Sequence, residues 1–375
     1  MNYMYLAARL TTAAFIATFS LSGCDLFSSD DEGDDLAAGR VLVANGGSFS
    51  DQNGYLTTYD PETEDAFQGA SLNGFVQGMA VHEDRIYVLV NTFSVGRVDI
   101  LDLESVTPIG TIDALPAPRS MAVVDGTAYI VNLLFGAPGQ VVPIDLETLE
   151  AGEPIEMGTG PEGIAALNGR LFVADHGSLG SGTEIFTFEA GSSDVAAVEV
   201  PCDGPRDLFP VSSDELVILC TGETEYNEDF SQIISQTAGA ALFFDTVSMT
   251  TRGRIDVPTQ IRSTNETISG YFAAETGTLY ALGGDDNLIY LIDTASRSLE
   301  LVLSVPPADG LTSISGIAYD AGAELLYAGR LPFGIGGEAP DFTSAGAVVT
   351  INRSGELVSS FPVGPAPSQI VLLPE

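Results

Sequence analysis

Asp175-His176-Gly177-Ser178 sets a carboxylate, an imidazole and a hydroxyl side by side, the residue types of nucleophilic catalysis. A triad is assembled by geometry from separate elements, so contiguity does not supply the roles, and no G-x-S-x-G elbow leads from a strand into a helix. Asp285-Asp286-Asn287 and Asp175-His176 offer hard oxygens suited to Ca2+. Calcium takes roughly six to eight oxygens. No segment has the spacing of an EF-hand loop, so such a site has to be assembled across distant segments, and the alternative is a set of solvated acidic turns. Zinc is disfavoured: His82 and His176 are far apart, and neither H-E-x-x-H nor Cys-x-x-Cys occurs. The absence of Cys-x-x-Cys-His excludes covalent haem.

These residues must be positioned by something, and the chain repeats itself in a way that says what. A strand-like stretch ending in an acidic or amide residue occurs at 54–60 (GYLTTYD), 96–102 (GRVDILD), 139–145 (GQVVPID), 183–189 (TEIFTFE), 240–245 (AALFFD), 287–293 (NLIYLID) and 346–352 (GAVVTIN). The closing residues are 42, 43, 44, 56, 48 and 59 apart, close to the roughly 40 to 50 residues of a four-stranded propeller blade. Two further elements precede each copy, as in Gln77-Gly78-Met79-Ala80 followed by Arg85-Ile86-Tyr87-Val88. The seventh opener is displaced: Ser368-Gln369-Ile370-Val371 stands at the C-terminal end, and its second strand, Arg40-Val41-Leu42-Val43, lies at the other. A ring of sheets that leaves its ends unpaired exposes two edges. The pattern therefore predicts an all-β fold, a seven-bladed β-propeller of four-stranded antiparallel blades, closed by the C-terminal strand completing the N-terminal blade.

Antiparallel blades put the start of each inner strand and the end of each second strand on one face. By register, Gln77, Arg119, Glu162, Arg206, Ser269, Ser315 and Ser368 ring one mouth of the axial channel. Asn45, Asn91, Asn132, Asp175, His176, Thr221, Asp285 and Arg330 lie outside them. A concave mouth of mixed charge is the expected ligand-binding site, while the structural alternative has Arg119 and Arg206 pairing with Glu162 or Asp207 to hold blades together. Insertions at 221–239 and 331–345 emerge on this face, as lids, as a partner surface or as disordered decoration.

The charge is extreme. The chain carries 52 acidic residues against 13 cations, all arginine, for a net charge of −39. Phosphate backbones and anionic headgroups are repelled by such a surface, so nucleic-acid partners and direct docking on anionic lipid are disfavoured. Self-repulsion at this charge is relieved by salt, which suits a halophilic adaptation, the alternative being an acidic exported protein in ordinary salt. Arg9 followed by the apolar run 10–21 reads as the n- and h-regions of a signal peptide, too short to span a bilayer comfortably. Leu21-Ser22-Gly23-Cys24 resembles the lipobox of bacterial lipoproteins, which implies cleavage after residue 23 and lipidation of Cys24. The organisation expected is a signal peptide at 1–23, a lipidated cysteine with an acidic tether at 24–39, and the propeller at 40–375. The protein is then anchored to the bacterial envelope, facing periplasm or cell exterior, touching membrane through the lipid alone. Cys202 and Cys220 sit at the ends of one expected hairpin, either joined as a disulfide or as two buried thiols.

Pro161-Glu162-Gly163-Ile164-Ala165, Leu171-Phe172-Val173-Ala174 and the segment 139–148 are similar to the P-x-G-I-A, L-Y-V-A and G-x-V-x-x-I-D-x-x-T motifs of the YVTN/YncE-like family of seven-bladed propellers. A looser likeness extends to NHL and gluconolactonase-type propellers. The lactonase resemblance implies an axial divalent metal held by carboxylates and an amide; here Glu162 alone matches, and Arg119 and Arg206 flank it and oppose a cation. Quinoprotein propellers have tryptophan docking motifs, and this chain has no Trp. Two functions follow as expectations: a monomeric, non-catalytic module that binds a small ligand or an envelope protein and needs no cofactor, or a metal-dependent hydrolase or lactonase with its site at the axial mouth.

Overall fold

In a computed structural model, which describes residues 39–262, 269–284, 287–305, 310–334, 336, 337 and 339–374, each repeat is a sheet whose second strand is largely apolar. Arg85–Asn91 (RIYVLVN) is buried at every position after its first. A strand covered on both faces reads as a continuous apolar run, and both faces are covered because neighbouring sheets stack on either side. Leu42 and Ala44 pack on Ile86, Val88 and Val90 of the next sheet, while Val41 and Val43 pack on Ala318, Tyr327 and Phe361 of the sheet before. The fourth strands, such as Asp65–Gln68, are exposed.

Seven four-stranded sheets result, with one separate two-stranded hairpin. Blade two runs Phe75–His82, Arg85–Asn91, Gly96–Asp102, Pro108–Leu115, each strand antiparallel to the next. The inner strands of blades two to seven are Phe75–His82, Pro118–Val124, Pro161–Leu167, Pro205–Ser212, Gly270–Ala273 and Leu311–Asp320. Blade one takes its inner strand from the C-terminal end, where Pro367–Leu373 pairs antiparallel with Arg40–Asn45, Val43 opposite Ile370 and Val41 opposite Leu372. The seven inner strands touch one another in a closed cycle. The fold is the seven-bladed β-propeller expected from the repeats, closed as expected. Tyr59 of blade one and Phe361 of blade seven stack across the closure, ring centroids 3.7 Å apart, a contact worth about 1 kcal/mol beyond its burial.

The repeat's closing acid has a local cause. Asp60 Oδ1 accepts the backbone N–H groups of Glu62 and Thr63 at 2.8 and 3.2 Å; Asp145 does the same for Glu147 and Thr148, and Asp245 for Val247 and Ser248. A short carboxylate or amide side chain that binds the backbone two or three residues on starts the turn into the fourth strand. This is why the acid recurs where each third strand ends.

Cys202 and Cys220 are joined by a disulfide, Cα to Cα 6.1 Å, which ties the connection entering blade five to the end of its second strand. The first insertion forms the two-stranded hairpin Thr224–Tyr226 with Ile233–Gln236. The second holds an isolated bridge between Phe333 and Pro340. Among the described residues the sole helical element is a single 3-10 turn, Ser178–Gly180, and no helix is long and apolar enough to cross a membrane. Cys24, with the signal peptide and tether, lies outside the described residues, as do Asp285 and Asp286.

Candidate functional site

The inner strands share a device that the sequence did not announce. In six of the seven blades the register between inner and second strand slips by one near the mouth, leaving one or two inner-strand residues without a ladder partner. The slip falls between Val76 and Gly78, Pro118 and Ser120, Pro161 and Ile164, Pro205 and Asp207, Ile314 and Gly316, and at Pro367 to Gln369 opposite Asn45 and Ala44. The residues released from the ladder include Gln77, Arg119, Glu162, Arg206, Ser315 and Ser368. A β-bulge re-aims the side chain it frees. In blade six the equivalent Ser269 stands immediately before Gly270–Ala273.

At 163 and 316, where glycine follows the bulge, a neighbouring inner strand leaves no room for a side chain. A Cβ on Gly163 would lie 2.2 Å from the Arg206 carbonyl oxygen, and one on Gly316 would lie 2.9 Å from that of Ser368. This accounts for the glycine of the P-x-G-I-A motif by packing.

The freed side chains interlock. Arg119 donates from Nε and Nη2 to the Glu162 carboxylate at 2.8 to 3.0 Å, and its Nη1 donates to Gln77 Oε1 at 2.8 Å. Asn91 Nδ2 donates to the same Gln77 oxygen at 3.3 Å. One guanidinium thereby joins blades two, three and four. Burial on its own would raise the Glu162 carboxyl; the Arg119 and Arg206 guanidiniums outweigh it and hold the group below the usual carboxylate range. Of the two arrangements open from sequence, Arg119 adopts the arginine–carboxylate pair. Arg206 is buried and contributes its charge to Glu162 from blade five.

His176 continues the chain of polar contacts, its Nε2 lying 2.9 Å from Thr221 Oγ1. Burial pushes its imidazole pKa down, and Arg206 adds to the effect. Asp175, a candidate calcium ligand, accepts backbone N–H groups from Gly160, Thr159 and Gly177 at 2.7, 3.2 and 3.2 Å, so it already serves to cap a loop. Asn287 Oδ1 accepts the Ile314 N–H. Among the described residues no three His, Cys, Asp or Glu side chains come together as a metal set.

Other positions turn away from a common point. Ser315 Oγ donates to the Pro367 carbonyl at 2.7 Å and Ser368 Oγ to that of Ala44 at 3.3 Å. Asn132 Nδ2 bonds the Ile130 carbonyl, and Asn45 Nδ2 bonds Thr57 Oγ1. The Arg330 guanidinium is buried, its Nε donates to the Thr312 carbonyl, and burial pushes its pKa down to about 10. Gln369 is a mouth residue that the register argument missed: its side-chain amide bonds both N–H and C=O of Met79, clasping blade one to blade two. Its place next to the displaced Ser368 was the available signal. A groove of about 440 Å³ lined by Arg40, Asp60, Glu104 and Leu373 lies on the opposite face, beside the point where Gly39 enters.

No family model matches this sequence, and no curated protein does. The structure is similar to solved ones. A quinonprotein alcohol dehydrogenase-like protein from Bacteroides thetaiotaomicron shares 14% identity at a TM-score of 0.64, over 90% of this chain and 78% of that one. A protein from Lactobacillus plantarum shares 15% at 0.60, over 89% and 98%. A functionally unknown protein from Desulfotomaculum acetoxidans shares 11% at 0.60, over 90% and 100%. At these identities the likeness is one of architecture. What geometry and comparison establish together is the fold, a seven-bladed β-propeller with an arginine–carboxylate clasp at one axial mouth.

Proposed function

We propose that this chain is a YVTN/YncE-like propeller anchored to the bacterial envelope through a lipid on Cys24, exported by the signal peptide 1–23, and acting as a binding module without catalysis. The polar ring at its axial mouth and the loops around it form the surface offered to a small ligand or an envelope protein, and the domain works as a monomer. The observation that carries this reading is the bidentate bond from Arg119 to Glu162. Glu162 is the one inner-ring carboxylate that matches a lactonase-type metal position, and its oxygens are directed at a guanidinium, where a cation would be repelled. The Bacteroides protein is named for a likeness to alcohol dehydrogenase; tryptophan, on which quinoprotein propellers rely, is missing from this sequence.

The test is elemental analysis of the purified chain joined to hydrolysis assays on sugar lactones with and without a chelator. No stoichiometric divalent metal and no chelator-sensitive turnover are expected. Turnover that vanishes in Glu162→Ala while the fold persists would establish the hydrolase reading instead. For the anchor, labelled palmitate should be incorporated by the native chain and lost in Cys24→Ser.

A further inference from the structure

The mouth face is divided. Around blades one to four its connections are 46–54, 69–74, 92–95, 116–117, 133–139, 157–160, 176–183 and 200–204, and in a chain with 52 acidic residues they carry two carboxylates, Asp51 and Asp203. The turns of the opposite face include Glu62, Glu64, Glu83, Asp84, Asp125 and Asp194.

Large apolar side chains take the place of charge. Phe49, Phe93, Val95, Phe135 and Leu179 are 49, 69, 42, 89 and 48% exposed. Each stands in the connection between second and third strands of successive blades, one to four. Phe49 lies edge-on to Phe93 at 5.3 Å and to Phe75 at 6.4 Å, so the first two blades share one aromatic cluster. Thr92 Oγ1 accepts the N–H of Val95 and donates to its carbonyl, which closes the loop that displays Phe93. Leu179 is held outward at a left-handed φ of 55°, a conformation disfavoured for a bulky residue and concentrated at functional sites.

The crescent ends against charge. The loop bearing Leu179 abuts the base of the blade-five hairpin, where a Cβ on Gly180 would lie 2.2 Å from the Gly222 carbonyl oxygen. That hairpin region carries Glu223, Glu225, Glu228 and Asp229 beside exposed Phe230 and Ile234. Meanwhile the Gly39 N–H donates to the Leu373 carbonyl at the far end of the inner strand, so the chain enters the domain on the opposite face.

The geometry points to this crescent as a docking surface for a polypeptide segment of a partner protein, one that sets aromatic or aliphatic side chains beside lysine or arginine. Loops that expose phenylalanine and hold only Asp51 and Asp203 as carboxylates offer few counter-ions, and burying a charge against them is costly; the contact made there is apolar. The adjoining acidic hairpin supplies attraction for cations and fixes orientation. A second copy would bring another acidic hairpin, and anionic lipid would meet no cation. With the chain entering on the far face, the crescent is turned toward a protein partner. Such a partner is that of the binding module proposed above, on which the inference rests. Chelator-sensitive turnover would overturn that module while leaving the result below intact.

The probe is a displayed library of random linear peptides selected on the native domain, with the best binder synthesised for titration. Enriched peptides should combine aromatic or aliphatic residues with Lys or Arg. Affinity should fall roughly tenfold or more on the Phe93→Ser, Phe135→Ser double variant. On Glu225→Gln, Glu228→Gln it should fall about threefold at low salt, the difference vanishing near 1 M NaCl. Val247→Ser, on the opposite face, should leave binding unchanged. The proposal is overturned by no enrichment, by affinity that survives the phenylalanine substitutions, by a native dimer that those substitutions dissociate, or by flotation with phosphatidylcholine vesicles that they abolish.

Discussion

Arg119 of blade three grips the carboxylate of Glu162 in blade four at 2.8 to 3.0 Å, with its guanidinium side chain almost wholly out of solvent. A fork-to-carboxylate bond of this kind is specific in direction as well as charge, and in a ring of separate sheets it spans the seam between two of them.

Removing one partner strands the other. Arg119→Ala or Glu162→Gln should lower unfolding stability by about 3–5 kcal/mol, whereas replacing both with apolar residues of matching volume should recover most of the loss. Denaturant melts of the singles and the double decide the matter. Singles that melt like the native chain would show that the clasp contributes nothing across the seam.

A proton on His176 should destabilise the fold. Its folded pKa lies below the ordinary 6.5 because of burial and then Arg206. The unfolded chain therefore takes up the proton first, and stability present above pH 6.5 declines as pH falls toward the folded value. The chain has only two histidines, so a native stability slope between about pH 7 and 5 that flattens in His176→Gln would isolate the effect. Measuring both proteins in the same high salt keeps general charge repulsion constant.

Removing the C-terminal strand should open the ring. Truncation after Gly364 deletes the partner of Arg40–Asn45 and the Gln369 clasp on Met79. The expected outcome is loss of cooperative unfolding and rapid amide exchange in blades one, two and seven. A truncated chain that melts as one sharp transition would mean that closure is dispensable.

Salt should stabilise this protein. With a net charge of −39, raising NaCl from about 0.1 to 1 M shortens the Debye length from roughly 10 to 3 Å and damps self-repulsion. The thermal midpoint should climb across that range, and a flat profile would sink the halophilic reading.

Much of this molecule was legible before any coordinates. The closing acids at 60, 145 and 245 recur because a short carboxylate starts the same turn each time, and a local cause leaves a local mark. Apolar strands such as Arg85–Asn91 read as buried on both faces for the same reason. Even the ring closure could be read, since one opener was missing at the first repeat and present after the last. Tertiary structure decided what the mouth residues do. Ser315 and Ser368 occupy the same place in the repeat as Arg119 and Glu162, yet Ser368 bends back to the Ala44 carbonyl of its own blade and Ser315 bonds a backbone carbonyl of blade one, while the arginine crosses its seam to a side-chain carboxylate. The bulges that free them, the Gln369 clasp and the charge-poor crescent arise from register and from which loops end up adjacent. Those depend on contacts between residues far apart in the chain, and no single repeat encodes them.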